Sequence, residues 1–217
     1  MKLFHSIKRR AANPFKGLKR QSINIATTEH QSPQPDMIAK PVHHDLSADD
    51  PASGITIDGI IRVERVNNAE FYVGDLFRRK FGCDPPDYPI HFVAFYRFTP
   101  GELQTVGYVH YLAFEDSYLC GGLVIDDRLY RRMKREHRAA LKAAGGISEL
   151  LLRSAMIELA DAPAIWGYVG DLLSEKVNIR VGLRRTAHQY LMVHWSKPLA
   201  PEEKDRRLSR VAALGPF

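Results

Sequence analysis

From Ile55 onward large apolar residues recur at short, regular spacings, and before it they do not. ITIDGIIRVERV is rich in β-branched residues and reads as extended chain. In NAEFYVGDLFRRKF, Phe71, Leu76 and Phe77 fall near one helical stripe that Gly82 can close. A loop over Cys83–Asp87 follows, and then HFVAFYRF, TVGYVHYLAF and YLCGGLVID read as three strands of an antiparallel meander. Residues 128–143 are rich in Arg, Lys and Ala and predict a long helical region, which Gly145 and Gly146 interrupt. ISELLLRSAMIELAD sets Leu152, Ala155, Met156 and Leu159 at i, i+3, i+4 and i+7, the spacing of a buried helical face. AIWGYVG is almost wholly apolar, as a strand buried on both faces would be. SEKVNIRVG predicts a short helix closed by Gly182, and HQYLMVHW a final strand. The order β-α-β-β-β-α-β-α-β predicts an α/β (α+β) domain, a mixed and mostly antiparallel sheet with helices packed against it.

This pattern divides the chain into a tail at 1–54, a folded domain at 55–200 and a C-terminal tail at 201–217. The first 54 residues carry too few large apolar side chains at any period to offset chain entropy, which predicts disorder. Within them Leu3, Phe4, Ile7 and Ala11 would share a helical face flanked by basic residues, up to Pro14. Such a segment suits contact with an anionic membrane or an acidic partner, against the plainer reading of a solvated tail.

Charge then changes the picture. The 217-residue chain has a formal net charge of +6, but its first twenty residues hold seven Lys or Arg and no acid, leaving −1 for all the rest. The basic character belongs to the tail, and the near-neutral remainder argues against nucleic-acid binding by the body. Cys83 and Cys120, the chain's 2 cysteines, have no partner at metal-ligand spacing and make no disulfide framework. A reduced, cytoplasmic protein is the expectation. No run approaches the roughly 18 apolar residues of a membrane span. The basic start is not followed by the apolar stretch of a secretory signal.

The richest chemistry lies around two spacings. GGISELLLRSAMIELAD places Gly145, Gly146, Ile147 and Ser148 at the start of a helix, where small residues let backbone N–H groups and the helix dipole meet an anion. The same glycines would equally serve to end one helix and begin another. Further on, Asp171, Ser174, Val177, Asn178, Gly182 and Leu183 recur at fixed offsets after the apolar strand AIWGYVG. Together with the element order, these spacings resemble the GNAT (Gcn5-related) acyltransferase superfamily. There the fourth strand leads into an Arg/Gln-x-x-Gly-x-Gly/Ala loop, and an Asn-x-x-Ala-x-x-Leu-Tyr-x-x-x-Gly-Phe run follows the fifth.

The resemblance implies an acyl-CoA-dependent N-acyltransferase, with acetyl-CoA or another acyl-CoA as co-substrate, an amine as acceptor and no metal. It implies that the backbone of Leu123, Val124 and Ile125 pairs with pantetheine between fourth and fifth strands that splay apart. It places CoA phosphates at Gly145–Ser148, with Asp171 and Ser174 beside them. It also makes 128–143 a helical insertion before the phosphate loop. Two departures stand out: the Arg/Gln position holds Ala143, and the tyrosine that often serves as general acid is replaced by Asn178, which has no titratable proton. A degenerate acyl-CoA-binding scaffold is therefore the alternative.

For proton transfer the candidates are Glu115 and Asp116 at a strand end, Asp171, and His110, which alternates onto one face with Tyr108 and Leu112. Glu115 and Asp116 also read as ordinary turn carboxylates, and His110 as a core histidine. His188, Tyr190 and His194 share a face of the last strand by period two, but roughly 20 Å separates two residues six apart on a strand, so they predict no metal site. Gly121 and Gly122 mark a bulge or a place of close approach. Trp166, Tyr168, Tyr190 and Trp195 flank the binding region, where aromatics usually pack in the core.

Overall fold

The computed structural model describes residues 56–87, 90–99 and 101–217. The tail at 1–54, with its amphipathic start, lies outside the described residues. Thr56 caps a single turn, α1 (Ile57–Ile60), whose Ile57 and Ile60 are buried, so the first predicted strand starts late, as β1 (Ile61–Val66). Asn68 then accepts a hydrogen bond from the Phe71 N–H at 3.0 Å and opens α2 (Ala69–Phe81), which closes at Gly82. Its buried stripe is Ala69, Val73, Leu76 and Phe77. Phe71 falls off that stripe and is 77% exposed, contrary to the expected face.

The meander follows as β2 (Ile90–Thr99), β3 (Glu102–Phe114) and β4 (Ser117–Ile125). The expected long helix over 128–143 is two helices, α3 (Asp127–Arg132) and α4 (Arg135–Ala143). Between them Met133 and Lys134 are extended, with ψ of 152° and 144°. Tertiary contacts outweigh the local helical pattern there. The Met133 side chain is buried in the core. The Tyr96 hydroxyl meets both the Lys134 N–H at 3.4 Å and His137 Nδ1 at 2.9 Å. Next come α5 (Ile147–Glu158), β5 (Ala164–Tyr168), α6 (Leu172–Arg180), β6 (Arg184–Arg185), β7 (Leu191–Trp195) and α7 (Pro201–Ala212).

The strands form one seven-stranded sheet in the order β1-β2-β3-β4-β5-β7-β6. Every neighbouring pair is antiparallel except β4 and β5, which run parallel. On one face α5 lays Leu151, Leu152, Ala155 and Ile147 onto a core that includes Phe92, Val109, Tyr111 and Ile165. On the other face α2 covers Val93, Tyr108 and Val124. Each large apolar side chain so buried contributes about 1.5–3 kcal/mol.

The region from 201 is not a tail. α7 buries Val211 in a cluster with Leu119, Trp166 and Leu191, and the compact unit runs on to Phe217. Its Arg207 grips Asp116 at the β3–β4 turn, 2.8 Å from Nη2 to Oδ2. The final strand is also shorter than expected: His188 and Tyr190 lie in the turn before β7, and only His194 is on the strand.

Candidate active site

The parallel pair at the centre of the sheet stays together over three positions only, Tyr118 with Ile165, Leu119 with Trp166 and Cys120 with Gly167. Beyond them no residue of β4 pairs with β5. The cause sits on the other edge of β4. Val109 pairs with Leu123 and Tyr111 with Cys120, so the single residue His110 faces both Gly121 and Gly122. This is a β-bulge, which bends and twists the strand that carries the extra residue.

Both glycines are needed because the imidazole fills the space their side chains would take. A Cβ on Gly122 would lie 2.9 Å from His110 Cε1, and one on Gly121 would overlap the ring. The close approach expected at these glycines is thus made by the protein's own side chain. The Gly122 N–H donates to His110 Nε2 at 3.0 Å. Nε2 is therefore the unprotonated nitrogen, and Nδ1 carries the proton. Burial, reinforced by His91, lowers the His110 pKa to about 3. The ring is neutral, enclosed and engaged at its lone pair, a wedge in the sheet rather than a base.

The parting leaves a cleft of about 240 Å³. Its walls are Cys120, Gly121 and Leu123 from β4, Gly167 and Tyr168 from β5, Ser148 and Leu152 from α5, and Ser174, Val177 and Asn178 from α6. Val169, Gly170 and Asp171 close the end where β5 runs into α6. Of the residues singled out in the sequence, Leu123, Ser148, Asp171, Ser174 and Asn178 meet here. Val124 and Ile125 pair with β3 across its other edge and do not line the cleft.

Gly145, Gly146 and Ile147 stand at the N-terminus of α5, one residue before Ser148. Both glycines have φ of 92°, a value open to glycine and strained for other residues. They do end α4, as the plainer reading held, with Gly146 N–H bonded to Leu141 O at 2.8 Å. Gly146 then starts α5 without a side-chain cap. The first-turn N–H groups of α5 accordingly have no intrahelical acceptor.

The sequence reading missed the charged cluster at this turn. The Glu149 carboxylate is buried against Gly145, where a Cβ would collide with it. Arg153 reaches it at 2.7 Å and Arg180 at 2.7 Å. Burial pushes its pKa up, but the two guanidinium groups outweigh burial and hold the carboxyl below the usual range. The trio carries a net +1 around Glu149 in the first turn of α5. The i, i+4 spacing of Glu149 and Arg153 was the available signal.

At α6, Asp171 Oδ1 accepts the Leu173 N–H at 3.0 Å and the Ser174 N–H at 2.9 Å. Hydrogen bonds from Ser174 and Leu173 hold its carboxyl low. Asp171 is an N-cap in the cleft wall, and its depressed pKa makes it a weak base. Asn178 gives its Nδ2 to Ser174 O at 2.9 Å and turns Oδ1 toward Gly167. The Cys120 thiol is pushed up to about 12 by burial and stays protonated. Glu115 is not brought to the cleft. It sits in the β3–β4 turn with φ of 57°, paired with Arg210 of α7, at the opposite end of β4 from the bulge.

A second cleft of about 290 Å³ shares Val169, Gly170 and Asp171 with the first and is bounded by Thr186, His188, Gln189 and Tyr190. Thr186 pins this loop, its Oγ1 donating to Leu191 O at 2.9 Å. Tyr190 has φ of 68°, a strained conformation of the kind that gathers at functional sites. Its ring lies 6.0 Å from that of Tyr168. Trp166 is instead fully buried core, edge-on to Trp195 at 5.2 Å. Among the described residues no three His, Cys, Asp or Glu side chains gather as a metal-binding group.

No protein-family model matches the sequence, and neither does any curated protein. Among solved structures the chain is similar to the ribosomal-protein-S18-alanine N-acetyltransferase of Escherichia coli, at 9% identity over 65% of this chain and 97% of that one, with a TM-score of 0.43. It is similar to a GNAT-family acetyltransferase of Staphylococcus aureus Mu50, at 12% identity over 63% and 99%, with a TM-score of 0.42. Tetrahymena Gcn5 gives 10% identity over 62% and 91%, with a TM-score of 0.38. At such identities these are likenesses of architecture alone. The order of the sheet, its lone parallel pair and the parting of that pair past a bulge make this a mixed, mostly antiparallel α/β fold flanked by helices, the architecture expected from the sequence.

Proposed function

We propose that the protein is an acyl-CoA-dependent N-acyltransferase. The observation that carries this reading is the parting of β4 from β5 into a cleft lined by Ser148 of the first turn of α5. An extended pantetheine arm needs an unpaired strand edge, and the β5-facing edge of Gly121–Ile125 provides one. CoA phosphates need a concentration of N–H donors and positive charge, and the turn at Gly145–Ser148 with its Arg153 and Arg180 supplies both. The amine enters through the second cleft, whose shared wall at Val169–Asp171 brings it to the thioester.

Chemistry then requires an N–C bond to form, the C–S bond to break, and a proton to reach the departing sulfur. Asn178 cannot give one. Cys120 holds its proton too tightly, and His110 is closed off. Tyr168, which lines the first cleft with its ring tilted against that of Tyr190 of the second, is the phenol that would protonate the thiolate. The proton lost by the attacking amine restores the phenol. Calorimetry with acetyl-CoA and longer acyl-CoAs tests the binding step, and no binding to any of them overturns the proposal.

A second reading is favoured by Asn178 and by the use of Asp171 as a cap: a protein that binds acyl-CoA without turning it over. Thiol release across a set of amines separates the two, because binding without release supports the scaffold.

A further inference from the structure

Among the described residues, the cations of this protein are distributed in two ways. Outside α3 and α4 there are sixteen Lys and Arg, of which eleven make an ion pair. Between Arg128 and Lys142 there are seven, and none makes one. The only acids of the two helices are Asp127, which pairs with Lys80, and Glu136. The near-neutral average of the chain after its first twenty residues conceals this face.

The segment is firmly anchored from behind. Met133 and Leu141 are buried, and His137 bonds to Tyr96. Arg128, Arg131, Arg132, Lys134, Arg135 and Lys142 are exposed. A rigid face of unneutralised cations repels itself, and an anionic occupant relieves that repulsion. We infer that α3 and α4 form a docking face for the phosphodiester backbone of a nucleic acid.

Three observations select this occupant. Five of the seven cations are Arg, whose planar fork matches phosphate oxygens. The face is too long for the phosphates of one CoA: α4 alone extends about 13 Å, a length over which a duplex presents several phosphates. CoA phosphates at Gly145–Ser148 would reach only its Lys142 end. A lipid surface would call for exposed apolar side chains among the cations, and the apolar residues of both helices are turned into the core instead.

The inference is independent of the acyl-CoA reading, and its test has a separate readout. The full chain is titrated into an end-labelled RNA strand and an end-labelled DNA duplex, with fluorescence anisotropy followed at several salt concentrations. Binding to at least one is expected, weakening as salt rises. R128A/R131A/R135A should weaken it at least about tenfold and make the log–log salt slope shallower by about 2–3. Alanine suits a helix, and an unaltered circular-dichroism melt checks that the variant folds. No binding to either probe at low salt overturns the inference. So does a variant that binds as the parent does, since the contact then belongs to another surface. Capture by phosphatidylserine vesicles with no oligonucleotide binding overturns it in favour of a lipid.

Discussion

The two halves of β4 differ more than any other neighbouring parts of the molecule. Tyr118–Cys120 is zipped to strands on both sides, while Gly121–Ile125 faces β3 alone. Residue type explains only part of this, because Leu123, Val124 and Ile125 are better strand formers than the zipped half needs. The difference comes from one extra residue. His110 takes two glycines as its partners, and the bend that results moves the rest of the strand out of reach of β5. A single bulge thus leaves half of a central strand with an unpaired edge.

The largest expected effect comes from attacking the bulge directly. In Gly121→Ala the new methyl overlaps the His110 ring, and overpacking of this kind costs about 1–3 kcal/mol or more. Adding His110→Ala removes the obstacle, so the double variant should lose less than the sum of the single changes, measured by urea denaturation. Additive losses would mean that the ring and the glycines are not in opposition, and that the parting has another cause.

Next in size is the chemistry within the parted half. If Tyr168 protonates the leaving thiolate, Tyr168→Phe should lower kcat by about a hundredfold or more with little change in KM. A variant with unchanged kcat would move the acid elsewhere or show that water serves.

How far the sequence revealed this site depends on the range of each interaction. Element order was legible because apolar periodicity is local, and α5 shows it at Leu152, Ala155 and Leu159. The Gly145–Gly146 turn was legible because it acts within four residues. Glu115 misled, since a carboxylate at a strand end looks the same whether it faces a cleft or, as here, Arg210 of a distant helix. α7 was read as a tail because its apolar residues are sparse, and only Val211 is buried. The pairing of Glu149 with Arg180 and the opposition of His110 to Gly121 join residues far apart in sequence. No window on the chain displays them.

The smallest effect concerns the two helices that border the parted half. Glu149 sits in the first turn of α5 and Asp171 caps α6, and the partners of each hold its pKa below the ordinary 4.5 and 3.8. A carboxyl depressed on folding stabilises the protein above its unfolded value, and that contribution is lost as pH falls through the folded value. Stability should therefore be level near neutrality and decline below about pH 4.5. Glu149→Gln should flatten the upper part of that decline, because its amide has no proton to gain. Asp171→Ala should cost about 1 kcal/mol near neutrality, the usual value of a lost helix cap. The turn that leads into the zipped half of β4 has its own depressed carboxyl in Asp116, held down by Arg207. Acyl-CoA binding distinguishes the two ends: Asp116→Asn should leave it unchanged, and Glu149→Gln should alter it, because the guanidinium groups of Arg153 and Arg180 then face the phosphates without their carboxylate.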